Sequence, residues 1–84
     1  MSALRRLDVP AGTRLQLFAA EWRPNPCGID QLVWTVAVFH EPVGGYLWVR
    51  GHGCALGQPD CAAGWCWEGQ VLVAAIRANL AGTR

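Results

Sequence analysis

The sequence predicts an α+β fold, an antiparallel sheet of three or four strands with one C-terminal helix packed on one face. Three patterns carry this reading. Apolar and polar residues alternate with period two from Thr13 to Trp22, the mark of a strand with one buried face. Two runs rich in β-branched and aromatic residues, Ile29 to Phe39 and Tyr46 to Arg50, flank Gly44-Gly45, a pair suited to the positive-φ positions of a tight hairpin. Near the C-terminus Trp65, Leu72, Ile76 and Leu80, with Val73 beside them, recur at helical spacing.

In the first strand Leu15, Leu17 and Ala19 point one way and Arg14, Gln16, Phe18 and Trp22 the other. The preceding piece, Arg6 to Val9, is the candidate fourth strand, pairing back across Pro10-Ala11-Gly12, where proline fixes φ and glycine permits a turn. Arg23 to Gly28 holds two prolines and a glycine, which stop a ladder and make a loop. A two-residue turn at Gly44-Gly45 sets Val43 opposite Tyr46 and puts Trp34, Val36 and Val38 on one face with Leu47 and Val49, the register that segregates the aliphatic residues. Gly51 to Pro59 reads as a second loop leading to Asp60, a good helix N-cap residue. The helix is best defined from Glu68 to Ala81, with Gly82 at its C-terminal cap. Gly64 and Gly69 weaken its first turns by up to about 1 kcal/mol each. On this wheel Trp65 falls in the core, and Trp67 packs at the sheet edge or faces a partner.

The 84 residues allow a single compact domain, residues 1–84, with 52% hydrophobic and 15% charged residues. That balance excludes intrinsic disorder. Seven arginines against six acidic residues give a net charge of +1, neither the basic excess of a duplex-DNA binder nor the acidity of a DNA mimic. No run approaches the roughly 20 apolar residues that span a bilayer, so no membrane association is expected. Arg5 and Arg6 imitate the start of a signal peptide, but Asp8, Pro10, Gly12 and Arg14 interrupt any apolar stretch after them. The expected location is cytoplasmic, where the four cysteines stay reduced.

These parities leave an outer sheet face of Arg14, Gln16, Phe18, Trp22, Thr35, Ala37, Phe39, Tyr46, Trp48, Arg50 and His52. Tryptophan, tyrosine and arginine dominate interface energetics, since each buries much area around a directional polar group at small entropic cost. The candidate partner-binding residues are Arg14, Phe18, Trp22, Phe39, Tyr46, Trp48 and Arg50. The expected partner is a protein, bound by a monomer or homodimer; the bland alternative is a second core layer covered by other parts of the chain or by a twofold mate. A further alternative is a platform that stacks single-stranded nucleic acid, against which stand the missing basic surplus and the absence of an RNP-like or GxxG motif.

No cofactor is predicted. If zinc is present, its ligands are His52, Cys54, Cys61 and Cys66, although His52-x-Cys54 is tighter and Cys61-x4-Cys66 looser than ordinary zinc-ligand pairs. A disulfide among the last three cysteines and plain buried thiols are the other readings. Cys54 beside His52, with Asp60 or Glu68 nearby, is the sole nucleophile-base arrangement, and no nucleophile-elbow, phosphate-loop or HExxH pattern accompanies it. The expectation is a non-enzymatic inhibitor or adaptor that occludes or recruits a larger macromolecular machine. Immunity proteins and phage or mobile-element inhibitors, anti-CRISPR proteins included, have this profile; a small zinc-stabilised domain is the alternative.

Overall fold

The computed structural model describes residues 7–54 and 64–84. Its elements are β1 (Arg14–Leu17), β2 (Trp22–Arg23), β3 (Gln31–Val43), β4 (Tyr46–His52), β5 (Trp67–Leu72) and the helix α1 (Val73–Leu80). The class is α+β with a C-terminal helix, as expected, but the antiparallel sheet has five strands in the order β1-β3-β4-β5-β2, not three or four.

The two edge strands are neighbours in sequence, joined only by Phe18 and a 3-10 turn, Ala19–Glu21. A flat five-stranded sheet would hold its edges about 19 Å apart at roughly 4.8 Å per strand. The link from Leu17 to Trp22, an extended Phe18 and a 3-10 turn rising about 2 Å per residue, falls well short of that. The sheet therefore curls until it is nearly a barrel. Inside lie Leu15, Leu17, Val33, Leu47, Val49 and Val71, and α1 adds Ala75 and Ile76 to the same core.

The single strand expected from Thr13 to Trp22 is broken at Phe18 by this connector. Glu21 holds the break: its carboxylate accepts the Phe18 N–H at 2.8 Å and pairs with both terminal nitrogens of Arg84, whose guanidinium lies 4.3 Å over the Phe18 ring. The turn at Pro10 to Gly12 forms, with the Thr13 N–H donating to the Pro10 carbonyl at 3.1 Å, but residues 7–10 make no strand. Leu7 and Val9 pack on the core instead, and the Leu7 carbonyl lies 2.8 Å from a ring nitrogen of His40; Arg6 lies outside the described residues. The open edge of β1 is met by Asn79 of α1, whose amide accepts the Gln16 N–H at 2.9 Å and donates to its carbonyl at 3.0 Å.

The hairpin turn is the expected one: Val43 pairs with Tyr46, and Gly44 and Gly45 take φ of +60° and +85°, the left-handed values that a primed two-residue turn demands. The register does not persist along β3. It shifts between Phe39 and Val43 and again between Thr35 and Ala37. The shift between Phe39 and Val43 is even and preserves the faces, whereas the one between Thr35 and Ala37 sets two residues against one, a bulge that exchanges the faces of the residues beyond it. Val38 stays on the core side opposite Val49, but Trp34 and Val36 turn outward while Val33 and Thr35 turn in, a correction to the expected face. The strand also begins at Gln31, leaving Ile29 exposed in the loop. Buried Thr35 is satisfied, donating to the Pro10 carbonyl and accepting the Thr13 N–H.

The largest correction concerns the helix expected from Glu68. Trp67–Leu72 is a strand, paired with β4 on one side and β2 on the other. Its residues alternate with period two: Trp67, Gly69 and Val71 face inward and Glu68 and Gln70 outward, while Leu72, at the strand's end, is half-buried against the core. Helical propensity, already weakened by Gly69, yields to two ladders of backbone hydrogen bonds. The helix keeps only Val73–Leu80, with Ile76 buried and Leu80 40% exposed, and Trp65 lies outside it and outside the core. It ends as expected at Gly82, where the Gly82 and Thr83 N–H groups return to Asn79 and Ala78 in a Schellman pattern. The expected N-cap, Asp60, lies outside the described residues. Gly51, expected in a loop, belongs to β4 opposite Thr35. Among the described residues no helix is long and apolar enough to cross a membrane.

A Cβ at Gly51 would stand 2.3 Å from the Trp34 carbonyl oxygen, which is backbone and cannot step aside. Gly51→Ala is expected to destabilise the fold by about 2–3 kcal/mol, on the scale of overpacked cores, measured by urea unfolding. The Arg84 guanidinium beside Glu21 holds its carboxyl below the ordinary 4.5, against the opposing effect of burial. Stability from this contact is present above that ordinary value and is lost as pH falls below it through the lowered one. Glu21→Gln should remove this acid-dependent component from a plot of stability against pH; an unchanged acid limb would refute the assignment.

Candidate functional site

The outer face is ordered in cross-strand rows set by the register. Arg23, Gln70, Trp48 and Phe39 form one row across β2, β5, β4 and β3. Glu68, Arg50 and Ala37 form the next, and His52, Trp34 and Arg14 the one after. The guanidinium of Arg50 is the hub. Its Nε donates to Glu68 Oε2 at 2.8 Å, and its central carbon lies 4.3 Å from the Trp65 ring centre and 5.1 Å from that of Phe39. Arg23 repeats the device on a smaller scale, stacked 3.7 Å over Tyr46 with its Nε donating to Gln70 at 2.8 Å. Phe39, Trp48 and Trp65 remain 42%, 39% and 41% exposed. Phe39, Trp48, Arg50 and Glu68 line a shallow depression of about 290 Å³.

Five of the expected partner-binding residues, Arg14, Phe39, Tyr46, Trp48 and Arg50, thus share this face. Phe18 and Trp22 do not. Phe18 sits in the connector beneath Arg84. Trp22 belongs to β2 rather than an extended first strand and turns inward, edge-on to Trp67 with ring centres 5.4 Å apart, its Nε1 donating to the Ile29 carbonyl at 3.1 Å. Thr35 leaves the face because of the bulge. Trp65 and Glu68 join it unforeseen. The period-two pattern of Trp67 to Leu72 could have revealed Glu68, but Trp65 precedes the strand and meets Arg50 only through the tertiary fold.

At the end of β4 a second constellation forms. The ligand atoms of His52, Cys54 and Cys66 all lie within 4.8 Å of one another, the only such group of metal-ligating residues among those described. The Cys54 and Cys66 Sγ atoms are 3.4 Å apart, beyond the 2.05 Å of a disulfide, so the two thiols are adjacent and not bonded to each other in this structure. Cys66 is fixed by its N–H, which donates to the Gly51 carbonyl at 3.0 Å. Cys61, the remaining expected ligand, lies outside the described residues, as does Asp60 of the nucleophile-base reading. Glu68, the other acid in that reading, is bonded to Arg50.

No protein-family model, curated protein or solved structure matches the chain.

The Arg50–Glu68 pair is more than a third exposed on both sides, and such pairs contribute little to stability. Glu68→Ala should therefore cost less than about 1 kcal/mol in urea unfolding. A larger loss would mean that the pair supports the fold and not merely the geometry of the outer face.

Proposed function

We propose that the chain is a non-enzymatic protein-binding module that docks a protein partner through the outer face of β3, β4 and β5. Its action is that of an inhibitor or adaptor, occluding or recruiting a larger macromolecular machine in the manner of immunity proteins and of phage or mobile-element inhibitors such as anti-CRISPR proteins. The observation that carries this reading is the cluster of Phe39, Trp48, Trp65 and Arg50, large side chains left substantially exposed on one sheet face. Exposed aromatic and arginine residues are the types that anchor protein interfaces. Stacking and the bond to Glu68 pre-order the Arg50 side chain, so less rotamer entropy is lost on binding. The depression beside Trp48 is shallow and lies at the small end of ligand-sized cavities, room enough for a side chain of the partner.

The charge pattern favours protein over single-stranded nucleic acid. Arg50 is neutralised by Glu68 at the centre of the face, and the chain's net charge is only +1. A strand-binding platform needs cations directed at phosphates.

The test is to identify a partner by crosslinking in the source cell, reconstitute the complex from purified proteins and titrate it calorimetrically. Trp48→Ala and Arg50→Ala should each weaken binding by at least about 30-fold, the equivalent of a 2 kcal/mol hot spot, with the circular dichroism spectrum and melting temperature retained. Undiminished binding by both folded variants overturns the proposal. Salt-sensitive quenching of tryptophan fluorescence by an oligonucleotide, lost in the same variants, would replace it with the nucleic-acid reading.

A further inference from the structure

We infer that His52, Cys54 and Cys66 form a zinc-binding site that clasps the end of β4 to the start of β5. The inference is independent of the docking face and rests on where the fold places three ligands from two separated stretches of chain.

The donor set suits zinc. One imidazole and two thiols supply three of the four positions of a tetrahedral zinc, a Cys2His set whose fourth position is taken by water, and borderline-soft Zn(II) prefers them to the oxygen donors that hold magnesium or calcium. The spacing suits it too. In a tetrahedral site with zinc–sulfur bonds of about 2.3 Å, two thiolates stand about 3.8 Å apart. The two Sγ atoms here are separated by 3.4 Å, and the His52 ligand atom lies within 4.8 Å of both. A single ion between them needs only small side-chain adjustments.

The backbone arranges this without help from the metal. Gly51 pairs with Trp67 across β4 and β5, and the Cys66 N–H extends the ladder by one bond to the Gly51 carbonyl. That bond places Cys66 beside the end of β4, where His52 stands, and Cys54 follows two residues on. His52 and Cys54 are partly buried and Cys66 is exposed, so the cluster is open to an ion from solution. On binding, each thiol gives up its proton to solvent and donates a thiolate lone pair to the ion. No electron is transferred, and two protons are released per zinc.

A small domain gains from such a clasp. A chain of this length buries a modest share of its surface, and a metal joining two strand ends adds free energy that the core alone does not supply. The clasp also lies within the sequence Trp65-Cys66-Trp67, between the ring stacked on Arg50 and the ring packed against Trp22. Holding Cys66 in place restrains both.

The experiment uses the full chain, purified reduced and without chelator, then examined by native mass spectrometry and by titration with Co(II) and Zn(II). One zinc per chain is expected, with a thiolate-to-cobalt charge-transfer band that zinc abolishes. Cys54→Ser, Cys66→Ser and His52→Ala should each weaken zinc binding by more than about 100-fold, beyond the loss seen when only a ligand's outer partner is removed. Cys27→Ser, a change in the loop between β2 and β3, should leave binding intact. Because a ligand variant can unfold, the wild-type cobalt spectrum decides independently. Absence of both the zinc adduct and the charge-transfer band overturns the inference. So does a chain lighter by two hydrogens with Cys54 and Cys66 joined in one cross-linked peptide, or binding that survives all three ligand substitutions.

Discussion

The fold depends on the short link between its two sheet edges. Because Phe18 and one 3-10 turn join β1 to β2, the sheet has to curl, and curling divides the side chains by size. A closed interior narrows toward its axis, so it accepts aliphatic residues and a few places with almost no side chain. Gly51 meets the Trp34 backbone, and a Cβ at Gly69 would stand 2.8 Å from the Trp67 ring. The contact of Glu21 with Phe18 and Arg84 holds the link itself, which is why an ion pair near the chain's end bears on the whole sheet.

The opposite surface follows from the same curvature. On the outside of a curled sheet the rows of side chains splay apart, and large rings there leave gaps between them. Arginine fills such gaps: the flat guanidinium lies against aromatic faces while its N–H groups reach a neighbouring acceptor. Arg50 does so with Phe39, Trp65 and Glu68, and Arg23 with Tyr46 and Gln70. Tryptophans that a larger core would have swallowed, Trp48 and Trp65, therefore remain substantially exposed at the surface.

The residues Trp65, Cys66 and Trp67 concentrate these demands in three consecutive positions. The first covers Arg50, the second joins the cluster with His52 and Cys54, and the third closes the core against Trp22. Such a sequence is hard to read in isolation, because two tryptophans separated by one residue fit a helix wheel or a strand equally well. Pairing with Gly51 settles the choice in favour of the strand.

By itself the sequence determined the α+β class, the Gly44-Gly45 hairpin, the inward Leu15 and Leu17, the Schellman ending at Gly82 and the outward placement of Arg14, Phe39, Tyr46, Trp48 and Arg50. Each of these is written locally, in alternation, in turn residues or in a helix terminus. Only the tertiary structure decided that Trp67–Leu72 is a strand, since its two partners, β4 and β2, are remote in sequence and their backbone hydrogen bonds outweigh a weak helical pattern. It alone decided the bulge that turns Thr35 inward and Trp34 outward, because a bulge is a relation between two strands and leaves no mark on either one. The meeting of His52 and Cys54 with Cys66 has the same origin: the spacing along the chain is unlike that of an ordinary zinc motif, and the strand ends bring together what the sequence keeps apart.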